Sequence, residues 1–168
     1  MRGLAGGESQ GDIFDLDVDA IVNPAHETLR AGGGLSGAIH SKAGIELEKE
    51  CLKFGGLEAG GAVITAGYKL KSKYVIHTVT PRYYLNEEDR DEKFAKAYKS
   101  VIEVADEKNL KSIAFPSIGT GINGWPLKLA TKIAIKSILN NINHCKSLEK
   151  IYIVCYNNEQ FEMYSNLI

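Results

Sequence analysis

The chain has 168 residues, 44% of them hydrophobic and 24% charged, the proportions of one globular domain long enough to close a core without metal or disulfide staples. Its net charge of −1 excludes a broad electrostatic footprint for DNA or RNA, so no nucleic-acid partner is expected. Cys51, Cys145 and Cys155 are widely spaced, no apolar run approaches bilayer length and the first ten residues lack the apolar stretch of a signal peptide, so the expectation is a cytoplasmic protein without a disulfide framework or a membrane partner.

Residues 1–10 are glycine-rich and unpatterned and read as a flexible lead-in, leaving 11–168 as a single domain. Gly11, Asp12 and Ile13 form a turn glycine followed by an acid and an apolar residue. Residues 20–22 are a short apolar strand closed by Pro24, whose ring removes a ladder donor. After it come Gly32, Gly33 and Gly34, and then Leu35, Ile39 and Ala43 at four-residue spacing, which predicts a helix from about Ser36 to Cys51 or Leu52, stopped by Gly55 and Gly56. Glycines at a helix start let the backbone approach a ligand, and the first turn offers unpaired N–H groups and partial positive charge to a phosphate. The alternative is a mobile glycine loop. Neither the Walker pattern nor the dinucleotide fingerprint fits.

Residues 61–67 and 74–79 are two β-branched strands around the basic turn at Lys69–Lys73, and their near-continuous apolar character suggests strands covered on both faces. Phe94, Tyr98, Val101 and Ala105 mark an amphipathic helix, and 111–115 is a further strand ending at Pro116. A second glycine-rich loop follows, Ser117, Ile118, Gly119, Thr120, Gly121, Ile122, Asn123, before a helix that starts at Pro126 and carries Leu127, Ala130, Ala134 and Ile138 on one side. Residues 151–156 are a last buried strand, and Phe161, Tyr164 and Ile168 belong to a short terminal helix. Alternating strands and helices give an α/β class with helices on both sheet faces, in which ligands lie beyond the carboxyl ends of strands, where both glycine loops fall.

Taken together, Gly11-Asp-Ile13, Asp19-Ala-Ile-Val-Asn23, Gly32-Gly-Gly-Leu35, Gly37-Ala-Ile-His40, Tyr74-Val-Ile-His-Thr78 and Ser112-Ile-Ala-Phe-Pro-Ser-Ile-Gly-Thr-Gly121 closely resemble the macro domain family, in order and over nearly the whole chain. The resemblance implies a three-layer α/β/α sandwich with a central mixed sheet and a cleft for ADP-ribose or an ADP-ribosylated protein, with no further cofactor and no metal. It places Asp12, helped by Ile13, at the adenine amine, and Tyr156 on the adenine ring with Asn157 beside it. It sets Gly32, Gly33, Gly34 and Leu35 against Ser117, Ile118, Gly119, Thr120, Gly121 and Ile122 around the diphosphate. Asn23 falls near the distal ribose, and Asn123 stands where many members carry an aromatic residue.

Some members also hydrolyse ADP-ribosyl bonds or deacetylate O-acetyl-ADP-ribose. The commonest hydrolytic branch has an aspartate where this chain has Ser36, and a second asparagine where it has His26. Asn23, His26 and Ser36 are the catalytic candidates, yet a serine needs a partnered base. Ser36 also reads as a helix N-cap, His40 as a structural helix residue and His77 as a buried, hydrogen-bonded strand residue. The sequence therefore favours a binding module over a hydrolase.

Overall fold

The structure is a computed structural model that describes residues 3–6 and 12–168. The turn expected at Gly11, and the lead-in outside 3–6, lie outside the described residues. Among the described residues six strands form one sheet: β1 (Gly3–Gly6), β2 (Ala20–Pro24), β3 (Ala62–Ala66), β4 (Tyr74–Thr78), β5 (Ser112–Pro116) and β6 (Lys150–Val154). Their order is β1, β6, β5, β2, β4, β3. All neighbours are parallel except β3, which runs antiparallel to β4. The sheet is mixed, as expected. β1 was not expected, because Gly-Leu-Ala-Gly has little strand propensity; backbone pairing with β6, from Gly3 opposite Lys150 to Gly6 opposite Ile153, holds it at the edge.

Among the described residues five α-helices cover the sheet: α1 (Gly34–Ala43), α2 (Ile45–Leu52), α3 (Arg90–Glu107), α4 (Leu127–Ile142) and α5 (Asn158–Leu167). Successive strand residues point to opposite faces. Ile21, Val75, Ala114 and Val154 accordingly pack on Ile39, Ala43, Leu47 and Cys51 of α1 and α2. Their neighbours Val22, Ile76, Phe115 and Ile153 pack on Phe94, Tyr98, Ala134, Ile138 and Tyr164 of α3, α4 and α5. The central strands β2, β4 and β5 are each buried at four of their five positions because both faces are covered. β3 departs from that expectation: it is an edge strand, only half-buried at four of its five positions.

Three further boundaries differ from the sequence reading. The helix expected over 36–52 is two helices, because Gly44, at a φ of +96° that disfavours side chains, ends α1 and caps α2. Pro24 stays in register with Thr78 instead of closing the strand before it. Ile168 lies past the end of α5 and is exposed. Among the described residues no helix is long and apolar enough to cross a membrane.

Candidate functional site

Because β2, β5 and β6 are adjacent and parallel, their carboxyl ends share one sheet edge, and the segments at 25–33, 117–125 and 155–157 all leave from it. The triple-glycine bend and the Ser117–Gly121 bend therefore follow adjacent parallel strands at one sheet edge. Ile13, next to Asp12, is buried in the layer that contains Ala114 and Val154.

The first loop ends at Gly33, which caps α1 with no side-chain hydrogen bond, so the first-turn amides are not satisfied by a capping group. A Cβ at Gly32, Gly33 or Gly34 would meet nothing within 4 Å. The backbone is held from behind: buried Leu29 anchors the loop, and Glu48 Oε2 on α2 accepts from the Ala31 amide at 2.6 Å. A Cβ at Gly37 would overlap the Gly32 carbonyl, which keeps loop and helix in close contact. Leu35 is half-buried.

The second loop is held more tightly. Gly119 has a φ of +86°, and a Cβ there would run into the Phe94 and Trp125 rings. Those rings stack at 4.2 Å, the Trp125 amide donates to Gly119 O at 2.9 Å and Trp125 Nε1 donates to Pro81 O at 2.8 Å. Asn123 turns its Nδ2 to Thr80 Oγ1 at 2.8 Å and Thr80 O at 3.2 Å, so its amide braces the loop. Ser117 and Thr120 are half-buried, Ile118 is buried, Gly121 is open on its Cβ side and Ile122 is 94% exposed. Neither the Gly32–Leu35 bend nor the Ser117–Ile122 bend itself carries a lysine or arginine, although exposed Arg30 precedes the first, so an anion at the bends would meet chiefly amides and helix termini.

The last strand was expected to stay buried through residue 156, but β6 ends at Val154 and Tyr156 is 72% exposed. The next residue, Asn157, caps α5 by accepting from the Gln160 amide at 2.9 Å, while Gln160 Oε1 accepts from the Tyr156 amide at 2.7 Å. This reciprocal pair fixes the backbone under an exposed ring. Asp12 Oδ1 accepts from the Phe14 amide at 2.9 Å and caps a short 3-10 turn.

Asn23 is fully buried at the end of β2, with Nδ2 on His77 Nδ1 at 3.0 Å and Oδ1 without a hydrogen-bond partner. His77 is a buried, hydrogen-bonded strand residue, as its sequence context suggests. Its partner Thr65 was not named from the sequence; the only signal was a polar residue on the same-face parity as Val63, and the pairing depends on register. Ser36 is not an N-cap. The helix begins two residues earlier, at Gly34, and Ser36 Oγ is buried with no hydrogen-bond partner, as is Nδ1 of His40 one turn on. Burial lowers His40 from its usual range, and nearby Glu48 offsets this in part.

His26 is exposed, and its Nδ1 accepts from the Thr28 amide at 3.1 Å. The proton of the neutral ring then sits on Nε2, 4.0 Å from Glu27 Oε1. Nδ1 is also 3.0 Å from Thr28 Oγ1, so this ring nitrogen is turned to its own loop. Glu27 itself pairs with Arg82 at 3.4 Å, tying the first loop to the segment after β4.

The Macro domain family model matches residues 22–134. A protein named O-acetyl-ADP-ribose deacetylase from Escherichia fergusonii is 42% identical over 163 residues, covering 95% of this chain and 92% of the relative. A variant of the Oceanobacillus iheyensis macrodomain, solved with ADPR, superposes with a TM-score of 0.89 at 33% identity, covering 94% of this chain and 88% of that one. The Trypanosoma brucei macrodomain in complex with ADP-ribose gives a TM-score of 0.88 at 34% identity, over 97% of this chain and 68% of that one. With a three-layer sandwich, two neighbouring glycine bends and these matches, the chain belongs to the macro domain family.

Proposed function

We propose that this chain binds ADP-ribose, free or attached to protein, in the cleft at the carboxyl ends of β2, β5 and β6. The observation that carries the reading is the pairing of two open-sided glycine bends at adjacent parallel strand tips, the first running into a helix start that no side chain caps. Amides from Gly32 to Leu35 and from Ser117 to Ile122 grip the diphosphate from two sides. Tyr156 stacks on the base with Asn157 beside it, Asp12 and Ile13 receive its exocyclic amine, and Asn23 and Asn123 meet the distal ribose. Complexes of structural relatives with ADPR and ADP-ribose support the choice of ligand. Calorimetry with ADP-ribose, AMP and ATP tests it: ADP-ribose binds most tightly, and equal or absent affinities would defeat the assignment.

A second reading, deacetylation of O-acetyl-ADP-ribose or cleavage of an ADP-ribosyl bond, is favoured by the name of the 42% identical relative. Of its catalytic candidates, His26 has its Nδ1 lone pair engaged and Ser36 has no hydrogen-bonded base. Incubation with O-acetyl-ADP-ribose and with a mono-ADP-ribosylated protein decides between the two; turnover lost in His26→Ala would overturn the binder.

A further inference from the structure

On the α1 and α2 face of the sheet lies a buried polar run that the ligand contacts above leave largely unused: Thr65 on β3, His77 on β4 and Asn23 on β2, exposed by 2%, 0% and 0%. The two-residue strand period brings them together on the side of Val63, Val75 and Ile21. The direction of their hydrogen bonds follows from one end. Thr65 Oγ1 donates its only proton to Ala66 O at 3.2 Å. At its 2.9 Å contact with His77 Nε2 the ring must therefore be the donor. A neutral ring protonated at Nε2 has a bare Nδ1, which accepts from Asn23 Nδ2 at 3.0 Å.

Two neighbours leave that direction intact. Burial, with His40 acting in the same sense at a ring separation of 6.3 Å, pushes His77 down to about 3, so the ring is neutral throughout the physiological range. Cys51 Sγ stands 3.6 Å from Nε2, and burial with the nearby Glu50 and Glu48 charges pushes its thiol up to about 11, so no thiolate competes for the proton. What remains is Asn23 Oδ1, buried, unpartnered and held at the cleft end of β2.

We propose that Thr65 and His77 are positioning residues that lock the Asn23 amide with its oxygen as the unpartnered group, so that this corner of the cleft selects a hydrogen-bond donor, a sugar hydroxyl, over a carbonyl or phosphate oxygen. The inference rests on the ADP-ribose reading, which puts the distal ribose at Asn23. An unlocked amide rotates to offer either group, and half of its selectivity disappears.

The lock is tested first on the parent chain, without ligand, by long-range nitrogen–proton NMR of the histidine rings. His77 is expected to show the Nε2–H tautomer and no titration from about pH 8 to about pH 5, where an ordinary histidine charges. An Nδ1–H tautomer or a titration in that range would overturn the proposal, whether or not any variant folds. Calorimetry then compares ADP-ribose with ADP, which lacks the distal ribose. Thr65→Val weakens ADP-ribose about tenfold, the scale of one hydrogen bond, leaves ADP unchanged, and Thr65→Ser restores the loss. Equal losses for both nucleotides would make Thr65 merely structural. A parent chain that binds neither nucleotide would overturn the ligand assignment, and the selectivity with it, while the tautomer spectrum still reads the lock by itself.

Discussion

The sharpest perturbation of the cleft is Gly33→Glu. At Gly33 φ is −88° and ψ −174°, extended backbone that any residue adopts, and a Cβ meets nothing within 4 Å. The fold should register the change by no more than about 0.5 kcal/mol, and a carboxylate at the uncapped start of α1 contributes about 0.3–1 kcal/mol in its favour. Ligand binding moves the other way. A carboxylate about 5 Å from a phosphate charge, at an effective dielectric of about 20, repels it by about 3 kcal/mol, roughly a hundredfold in Kd. Calorimetry with ADP-ribose beside a thermal melt should therefore show a Tm unchanged or slightly raised together with a hundredfold weaker Kd, and added salt should narrow the gap by screening. A Kd within about threefold of the parent's, with the fold intact, would refute the placement of the diphosphate at this bend.

Tyr156→Ala should leave the melt unchanged, since the ring is 72% exposed, and cost about 1–3 kcal/mol of affinity for AMP, ADP and ADP-ribose alike; a loss confined to ADP-ribose would move the ring away from the base. Asp12→Ala should lower stability by about 1 kcal/mol through loss of its cap, whereas Asp12→Asn keeps an acceptor for Phe14 and should weaken binding with little change in Tm. Gly119→Ala combines a positive φ with overlap on two rings and should cost about 2–4 kcal/mol, or roughly 5–15 °C in Tm, while Gly121→Ala, with open space at its Cβ, should move Tm by less than about 2 °C. Acid stability reports on His77. With its folded pKa pushed down to about 3 by burial, the unfolded chain binds a proton below about 6.5 that the folded one refuses, so stability is full above that pH and declines as pH falls. The decline reaches about 2 kcal/mol by about pH 5, with His40 adding in the same direction. Urea midpoints at both pH values, compared with His77→Gln, check it; parallel losses in parent and variant would show that carboxylates elsewhere govern acid unfolding.

The parts of this fold that the sequence announces are those written in a local period. Phe94, Tyr98, Val101 and Ala105 repeat at helical spacing and are all buried in α3, and both glycine bends stand between a strand pattern and a helix pattern, which in a parallel sheet puts them at one edge. What stays hidden depends on partners far along the chain. Thr65 meets His77 across 12 residues and His77 meets Asn23 across 54, pairings set by strand register alone. β1 exists through backbone bonds to β6, which leave no mark on side-chain type. Ser36 resembled a cap because a serine at a helix start ordinarily is one, but glycine backbone began the helix two residues sooner.

The kink at Gly44 has a mechanical consequence for the glycine bend. In a straight helix begun at Gly34, residue 48 would stand roughly 21 Å along the axis from the first turn, beyond the reach of any glutamate. Because the chain turns at Gly44, α2 brings Glu48 to the Ala31 amide, so the proposed cradle is buckled to the second of the two helices it introduces. A change that straightened this elbow would unfasten the cradle without touching a residue that faces the ligand.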